Sequence, residues 1–389
     1  MSVTAAQGFV AAGVSAGIRP SGKPDVALVR SLCPAVGAAL WTTNQVQAAP
    51  VVVSRRHLEV AEPQAVVVNA GVANAATGPG GEDDAAETAR GVAEALALEP
   101  EQVLVLSTGV IGPRLPLARV LAGVEAAAAE LSRDGGRAAA EAMLTTDSGP
   151  KLAAVSNEGF TVGGMAKGAG MIHPRLATML AVLTTDYPLE PGEADGFLRP
   201  AVERSFNRIS VDGDCSTNDA VVLLANGQCG IAERDSALDK RFARSLEEVC
   251  ANLARQIVAD GEGATVVLEI HVSSASSPEE ALAIAQRVAT SPLVKTAAFG
   301  RDPNWGRVLA AAGSAPFDGG FARLDPNLLA VAFDGTPVFA DGGPTGLVPE
   351  LAGAVCRIEL DLGLGDGTAS FLASDLSYDY VRINAEYTT

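Results

Sequence analysis

The stretch Lys167–Leu180, KGAGMIHPRLATML, is where residue types and spacing bear most directly on chemistry. Gly168 and Gly170 let the backbone come close to another group. Pro174 stiffens the approach, and the small Ala177 precedes a threonine that opens an apolar run. These features are compatible with an exposed, strained peptide bond ahead of Thr178. Read alone, they describe more simply a buried threonine at the start of a strand. A threonine hydroxyl is a poor nucleophile until a base takes its proton.

Other chemistries find little support. The only histidines are His57, His173 and His271, and a Ser-His-Asp or Cys-His system needs one of them. His271 falls in the strand-like LEIHVSS and reads as structural. His57 follows two arginines at an expected helix start and reads as a surface residue. His173, beside Pro174, is the one placed to line a site. Gly17–Lys23 has the GxxxxGK spacing of a phosphate loop, but Pro24 follows, with neither the hydroxyl for Mg²⁺ nor an N–H to donate. In Asp212–Ala220 the alternation of Asp212, Asp214 and Ser216 suggests a calcium loop. Thr217 and Leu223 stand where an EF-hand requires Gly and Glu, so a structural polar turn is expected. Cys33, Cys215, Cys229, Cys250 and Cys356 form no CxxC pair, and no metal site is expected.

Composition narrows the class. The net charge of −18 opposes nucleic-acid binding and adhesion to anionic membranes. Apolar residues make up 48% of the 389 and charged residues 19%, which is the balance of a folded protein handling small molecules. The N-terminus has no basic residue ahead of its apolar stretch, and no run of about 20 apolar residues follows. A cytoplasmic location is expected.

The elements that must hold these residues alternate in type. Ala65–Val68 and Val103–Leu106 read as buried strands, and Glu82–Leu96 and Leu117–Leu131 as helices, so an α/β layered body is expected. Asp147–Pro174 reads as a loop-rich connector because of its glycines, with a buried strand starting near Thr178. Beyond it, Glu193–Phe206, Ser236–Ala259 and Pro278–Ala289 read as helices, and Thr265–Val272, Leu328–Phe333 and Val355–Leu360 as strands. The tail YVRINAEYTT reads as opening with a strand.

Several motifs in order carry a resemblance across nearly the whole chain: GFVAAGVSAGI, TTNQVQAAPV at 42–51, STGVIG at 107–112, TTDSGPK at 145–151, KGAGM from 167, SVDGDCSTND at 210–219, DGEGAT at 260–265, FGRDPNWGR at 299–307 and the terminal YVRINAEYTT. Together they resemble the ornithine acetyltransferase (glutamate N-acetyltransferase) family, whose members cut their own chain between Ala and Thr. Ala70, Val72 and Val266 depart from the family's usual residues, departures that could alter the acceptor or a partner surface.

The resemblance implies an αββα sandwich of mixed sheets flanked by helices. It implies cleavage at Ala177–Thr178 into an α chain, 1–177, and a β chain, 178–389, associating as α₂β₂. Thr178 would be the nucleophile, activated by its own freed α-amine. With a pKa near 7.8 that amine is about one-third neutral at about pH 7.5, against about 0.1% for an unperturbed lysine. Thr108 and Gly109 would form the oxyanion hole. Thr145, Lys167, Thr178, Glu262, Asn384 and Thr389 would face substrate, with Thr146 the alternative to Thr145. The implied reaction passes the acetyl group of N-acetylornithine through Thr178 to glutamate by a ping-pong route. No metal or organic cofactor is implied, and acetyl-CoA is left open as a further donor. The competing reading is an N-terminal-nucleophile amidase or aminopeptidase, with water as acceptor.

Overall fold

The computed structural model describes residues 2–157, 159–173 and 179–386. The chain forms two compact units: residues 1–207 with 214–257, and residues 208–213 with 258–388.

In the first unit, Phe9–Val14 (β1), Val26–Ser31 (β2), Val36–Trp41 (β3), Ala49–Val60 (α1), Ala65–Val72 (β4), Gly78–Leu96 (α2), Val103–Val110 (β5), Leu117–Ala129 (α3) and Gly136–Ala142 (α4) come first. They are followed by Lys151–Asn157 (β6), Phe160–Lys167 (β7), Leu180–Thr185 (β8) and Ala194–Arg204 (α5). After the short Ile209–Ser210 (β9) of the second unit come Ala220–Ala225 (β10) and Ser236–Ala259 (α6). One sheet has the order β1-β2-β4-β5, the other β3-β10-β8-β7-β6. The alternating side chains of the first sheet divide between two cores. Ala27, Val29, Val66, Val68, Leu104 and Leu106 meet Met165, Val182, Val222 and Leu224 of the second sheet. Leu28, Val67, Val103 and Val105 on the opposite face meet Ala89, Val92 and Ala93 of α2 and Val120 and Val124 of α3. On the far side of the second sheet, α6 brings Val249 and Leu253 against Gly164 and Leu183. The layers therefore run helix, sheet, sheet, helix, as the resemblance implied.

Strands buried on both faces read as unbroken apolar runs, which is why β4 and β5 were legible. The edge of β5 is closed by α1: the Ser54 hydroxyl donates to the Val105 carbonyl at 2.8 Å and accepts the Val105 N–H at 2.7 Å.

The connector expected over Asp147–Pro174 is instead largely a hairpin, β6 paired with β7 and β7 with β8. Its glycines serve packing. A Cβ on Gly163 would stand 2.3 Å from the Ser2 carbonyl oxygen, and one on Gly164 2.8 Å from Leu183. Helix α2 begins four residues earlier than expected, at Gly78. Pro79 fits its first turn, and Gly80 and Gly81 leave room for Arg114 and Thr77. His57 lies in the last turn of α1 rather than at a helix start. It is half-buried, with Nδ1 2.9 Å from the Val103 carbonyl.

The second unit is built on Val267–Ala275 (β11), Pro278–Ala289 (α7), Pro292–Phe299 (α8), Trp305–Ala312 (α9), Pro316–Phe317 (β12), Gly320–Phe321 (β13), Ala330–Phe333 (β14), Thr336–Ala340 (β15), Gly343–Pro344 (β16), Val355–Asp361 (β17), Gly367–Ser374 (β18) and Tyr378–Glu386 (α10). Its sheet has the order β16-β15-β14-β17-β11-β18-β9, with α7, α8 and α9 on the core face. His271, on β11, is on the exposed face and pairs with Ser370. The tail expected to open as a strand is the helix α10. Ser377 accepts the Tyr380 N–H, and Asp379 lies in the first turn and pairs with Arg382, so local capping outweighs the β-propensity of Tyr, Val and Ile. Asp212–Ser216 is irregular, the polar turn expected.

Candidate active site

The carboxyl end of β5 presents Thr108 and Gly109. Here β4 and β5 run parallel, and the register slips at Gly71/Val72. Gly71 (φ 110°) and Gly109 (φ 131°) are both in the region that favours glycine. Asn218 holds this end from below, its amide donating to the carbonyls of Ala73 (2.7 Å) and Ser107 (2.9 Å). The backbone of Thr108 and Gly109 is thus fixed by its neighbours on both sides.

Lys167 closes β7 and is buried, 3% exposed. Its ammonium donates to the Thr108 hydroxyl at 3.3 Å. The Lys167 charge also acts on Asp147, a carboxylate whose side chain is fully enclosed. Asp147 accepts from Lys151 Nζ (2.5 Å), Gly168 N (2.6 Å) and Thr145 N (3.0 Å), with the Thr145 hydroxyl at 3.4 Å. Burial pushes its pKa up, but the charges of Lys167 and Lys151 and these hydrogen bonds outweigh it, holding the group well below the usual carboxylate range. Two lysines, Lys151 and Lys167, thus act on one enclosed carboxylate.

Asp219 is the second enclosed carboxyl, 1% exposed. Its Oδ1 accepts the Met179 N–H at 2.9 Å, while Oδ2 is buried without a hydrogen-bond partner among the described residues. Burial raises its pKa well above the ordinary value, against the smaller opposing effects of the Met179 N–H, Lys167 and Ser216. Asp147 and Asp219 are therefore shifted in opposite directions by their surroundings.

In the second unit Glu262 and Asn384 meet, the Asn384 amide donating to Glu262 Oε2 at 2.8 Å. The turn carrying Glu262 is tied to the start of α10. A Cβ on Gly263 (φ 67°) would stand 2.4 Å from the Tyr380 nitrogen, and the Ser377 hydroxyl donates to the Gly263 carbonyl at 2.6 Å. Asp375 accepts from Thr265 N (2.8 Å), Val266 N (3.2 Å) and the Thr265 hydroxyl (2.5 Å). Nearby, Lys295 is buried with its ammonium on Ser374. Burial lowers its pKa to about 8, partly offset by Asp375 and Asp212.

Of the residues singled out by sequence, Thr108, Gly109, Thr145 and Lys167 thus fall in the first unit, Thr108 and Thr145 linked through Lys167 and Asp147. Glu262 and Asn384 are paired in the second. Thr145 turns to Asp147, whereas Thr146 is exposed. His173 is half-buried. Ala177, Thr178 and Thr389 lie outside the described residues. Of the three departures, Ala70 and Val266 are buried and Val72 is half-buried. Sequence reasoning missed Asp147 and Asp219, although both stand in motifs it quoted. The signal was an acid inside an otherwise small or hydroxylated motif. Among the described residues no group of His, Cys, Asp or Glu is placed to hold a metal ion, and no helix is long and apolar enough to cross a membrane.

Fold and site define a layered α/β protein with an enclosed, charged site at the strand ends of its sandwich unit. The chain belongs to the ArgJ family, whose model matches residues 10–389. It is 47% identical over its full length to 96% of the arginine biosynthesis bifunctional protein ArgJ of Mycolicibacterium paratuberculosis. It is 48% identical, again over its full length, to 98% of the protein of the same name from Symbiobacterium thermophilum. Among solved structures, it is similar to ornithine acetyltransferase of Mycobacterium tuberculosis complexed with ornithine: 46% identity, 44% of this chain, 94% of that one, TM-score 0.43.

Proposed function

We propose that this ArgJ-family acyltransferase transfers the acetyl group of N-acetylornithine to glutamate through Thr178, after cutting its own chain at Ala177–Thr178. The observation that carries the reading is the buried ammonium of Lys167, held against the Thr108 hydroxyl. An amino-acid carboxylate is the ligand such a place would recognise.

In this scheme the freed α-amine of Thr178 takes the proton of its hydroxyl, and Oγ attacks the acetyl carbonyl. Thr108 and Gly109 stabilise the oxyanion, a contribution of roughly 3–4 kcal/mol per donor in comparable enzymes. The amide C–N bond breaks, ornithine leaves with the proton, and acetyl-Thr178 remains. The glutamate amine then attacks the ester, releasing N-acetylglutamate. Lys167 pairs with the substrate carboxylate, and Thr145 faces the substrate. Every step is acyl and proton transfer between named groups, so the scheme calls on no cofactor. Acetyl-CoA would enter as a second donor to the same threonine. The cleaved 1–177 and 178–389 chains assemble as α₂β₂, and the odd number of widely scattered cysteines fits a cytoplasmic setting.

Intact mass under denaturing conditions, with Thr178→Ala in parallel, tests the cut: two fragments divided at 177/178 are expected, absent in the variant. Ornithine release that requires glutamate supports transfer. Release independent of glutamate would instead identify an amidase.

A further inference from the structure

The scheme gives Asp219 no task, yet its place is distinctive. Met179 and Asp219 stand immediately before β8 and β10, which run parallel with Leu180 opposite Ala220. The residue after Thr178 is gripped on both sides: its N–H by Asp219 Oδ1 (2.9 Å), its carbonyl by the Ala220 N–H (3.2 Å). Asp219 is itself held from the neighbouring chain segment, its carbonyl accepting the Thr42 N–H at 2.9 Å. Three segments of one sheet are thus knit together next to the proposed nucleophile.

We infer that Asp219 is a positioning residue that works as a neutral carboxyl, accepting the Met179 N–H on one oxygen and keeping its proton. The inference rests on the reading of Thr178 as nucleophile. An ionised carboxylate with one oxygen enclosed and unpartnered would bear a large desolvation cost. Asp147, equally enclosed, collects three close donors and carries its charge; Asp219 has one well-formed hydrogen bond, from Met179. Its charged or polar neighbours are Lys167, whose charge also acts on Asp147, and Ser216. Burial favours the protonated form over what those neighbours offer. A neutral acid can fix the amide beside Thr178 without adding a negative charge to a site that must accept a carboxylate.

The test uses the full chain as wild type, Asp219→Asn and Asp219→Ala. Self-cleavage is followed by intact mass, transfer by ornithine release, and the carboxyl proton by infrared difference spectra at neutral pH. Asn offers the same acceptor oxygen and is neutral at every pH, so its rates should stay within about threefold of wild type. Ala removes the grip and should slow both reactions by about 100-fold, the scale of a misplaced reacting group. The wild-type spectrum should carry a protonated-carboxyl stretch that Asp219→Asn lacks. Loss of that difference, or an Asn variant as slow as Ala, would overturn the neutral role; a folded Ala variant at wild-type rates would overturn the positioning role. If Ala does not fold, the Asn rates and the infrared band still decide. If the wild type itself does not cleave, the reading of Thr178 falls, while the infrared band still reports on Asp219.

Discussion

Gly71 and Gly109 cross so closely that a Cβ on Gly109 would lie 2.2 Å from the Gly71 carbonyl carbon. The end of β5 is therefore set by backbone against backbone, with no side chain to yield. Gly109→Ala should lower stability by about 3 kcal/mol or more, combining a left-handed φ with a backbone clash. Gly112→Ala shares a positive φ, 106°, but has nothing within 4 Å of its Cβ, so it should cost only about 1 kcal/mol. Urea unfolding of the two variants separates crowding from backbone strain; equal losses would refute the crossing.

Thr108→Val removes the hydroxyl that receives Lys167 while preserving volume. If Thr108 acts on the oxyanion, transfer should fall by about 10²–10³, and Thr108→Ser should recover most of it. A valine variant with full kcat would remove Thr108 from the scheme.

The Lys151–Asp147 pair is enclosed, at 2% and 0% side-chain exposure. Lys151→Met should destabilise the first unit by about 3–5 kcal/mol, since it removes one partner of a buried ion pair. The pH dependence has a definite sign. Because the folded pKa of Asp147 is depressed, its stabilisation is complete above the ordinary carboxylate value of 3.8 and is lost as pH falls below it toward the folded value. Unfolding curves at descending pH should steepen in the wild type and flatten in Asp147→Asn.

Lys295 carries a dependence of the same sign in an alkaline window. Its folded pKa, about 8, lies below the 10.5 of the free side chain. Between these values the unfolded chain binds more protons, so stability should rise with pH through that window. Lys295→Met should abolish the rise. A stability curve equally steep in both proteins would place the Lys295 titration elsewhere.

What sequence could read depended on whether the cause of a structure was local. Helices α6 and α7 matched their expected limits because apolar spacing and end signals lie within the segments themselves. The hairpin of β6 and β7 was misread because Gly163 and Gly164 answer to Ser2 and Leu183, neighbours far away in the chain. The helix α10 was misread because its start depends on the Ser377 cap more than on its β-prone residues. In the candidate site, Thr108, Lys167 and Thr145 were named through motif resemblance. The contrast between Asp147 and Asp219 was illegible, because it arises from how many donors each carboxyl collects. That count exists only after folding.

The order β3-β10-β8-β7-β6 has a last implication. A cut between Ala177 and Thr178 would leave β8 and β10 on one piece, inserted between β3 and the β7–β6 pair of the other. The pieces would be interleaved like fingers, with Lys167–Val162 still bonded along Leu180–Thr185 on one seam and β3 along β10 on the opposite one. Cutting would therefore be a ratchet. The intact chain assembles the sheet as a single molecule, whereas the separated pieces, once unfolded, would have to find each other and open a two-sided gap to return. The mature protein would be easier to keep than to remake.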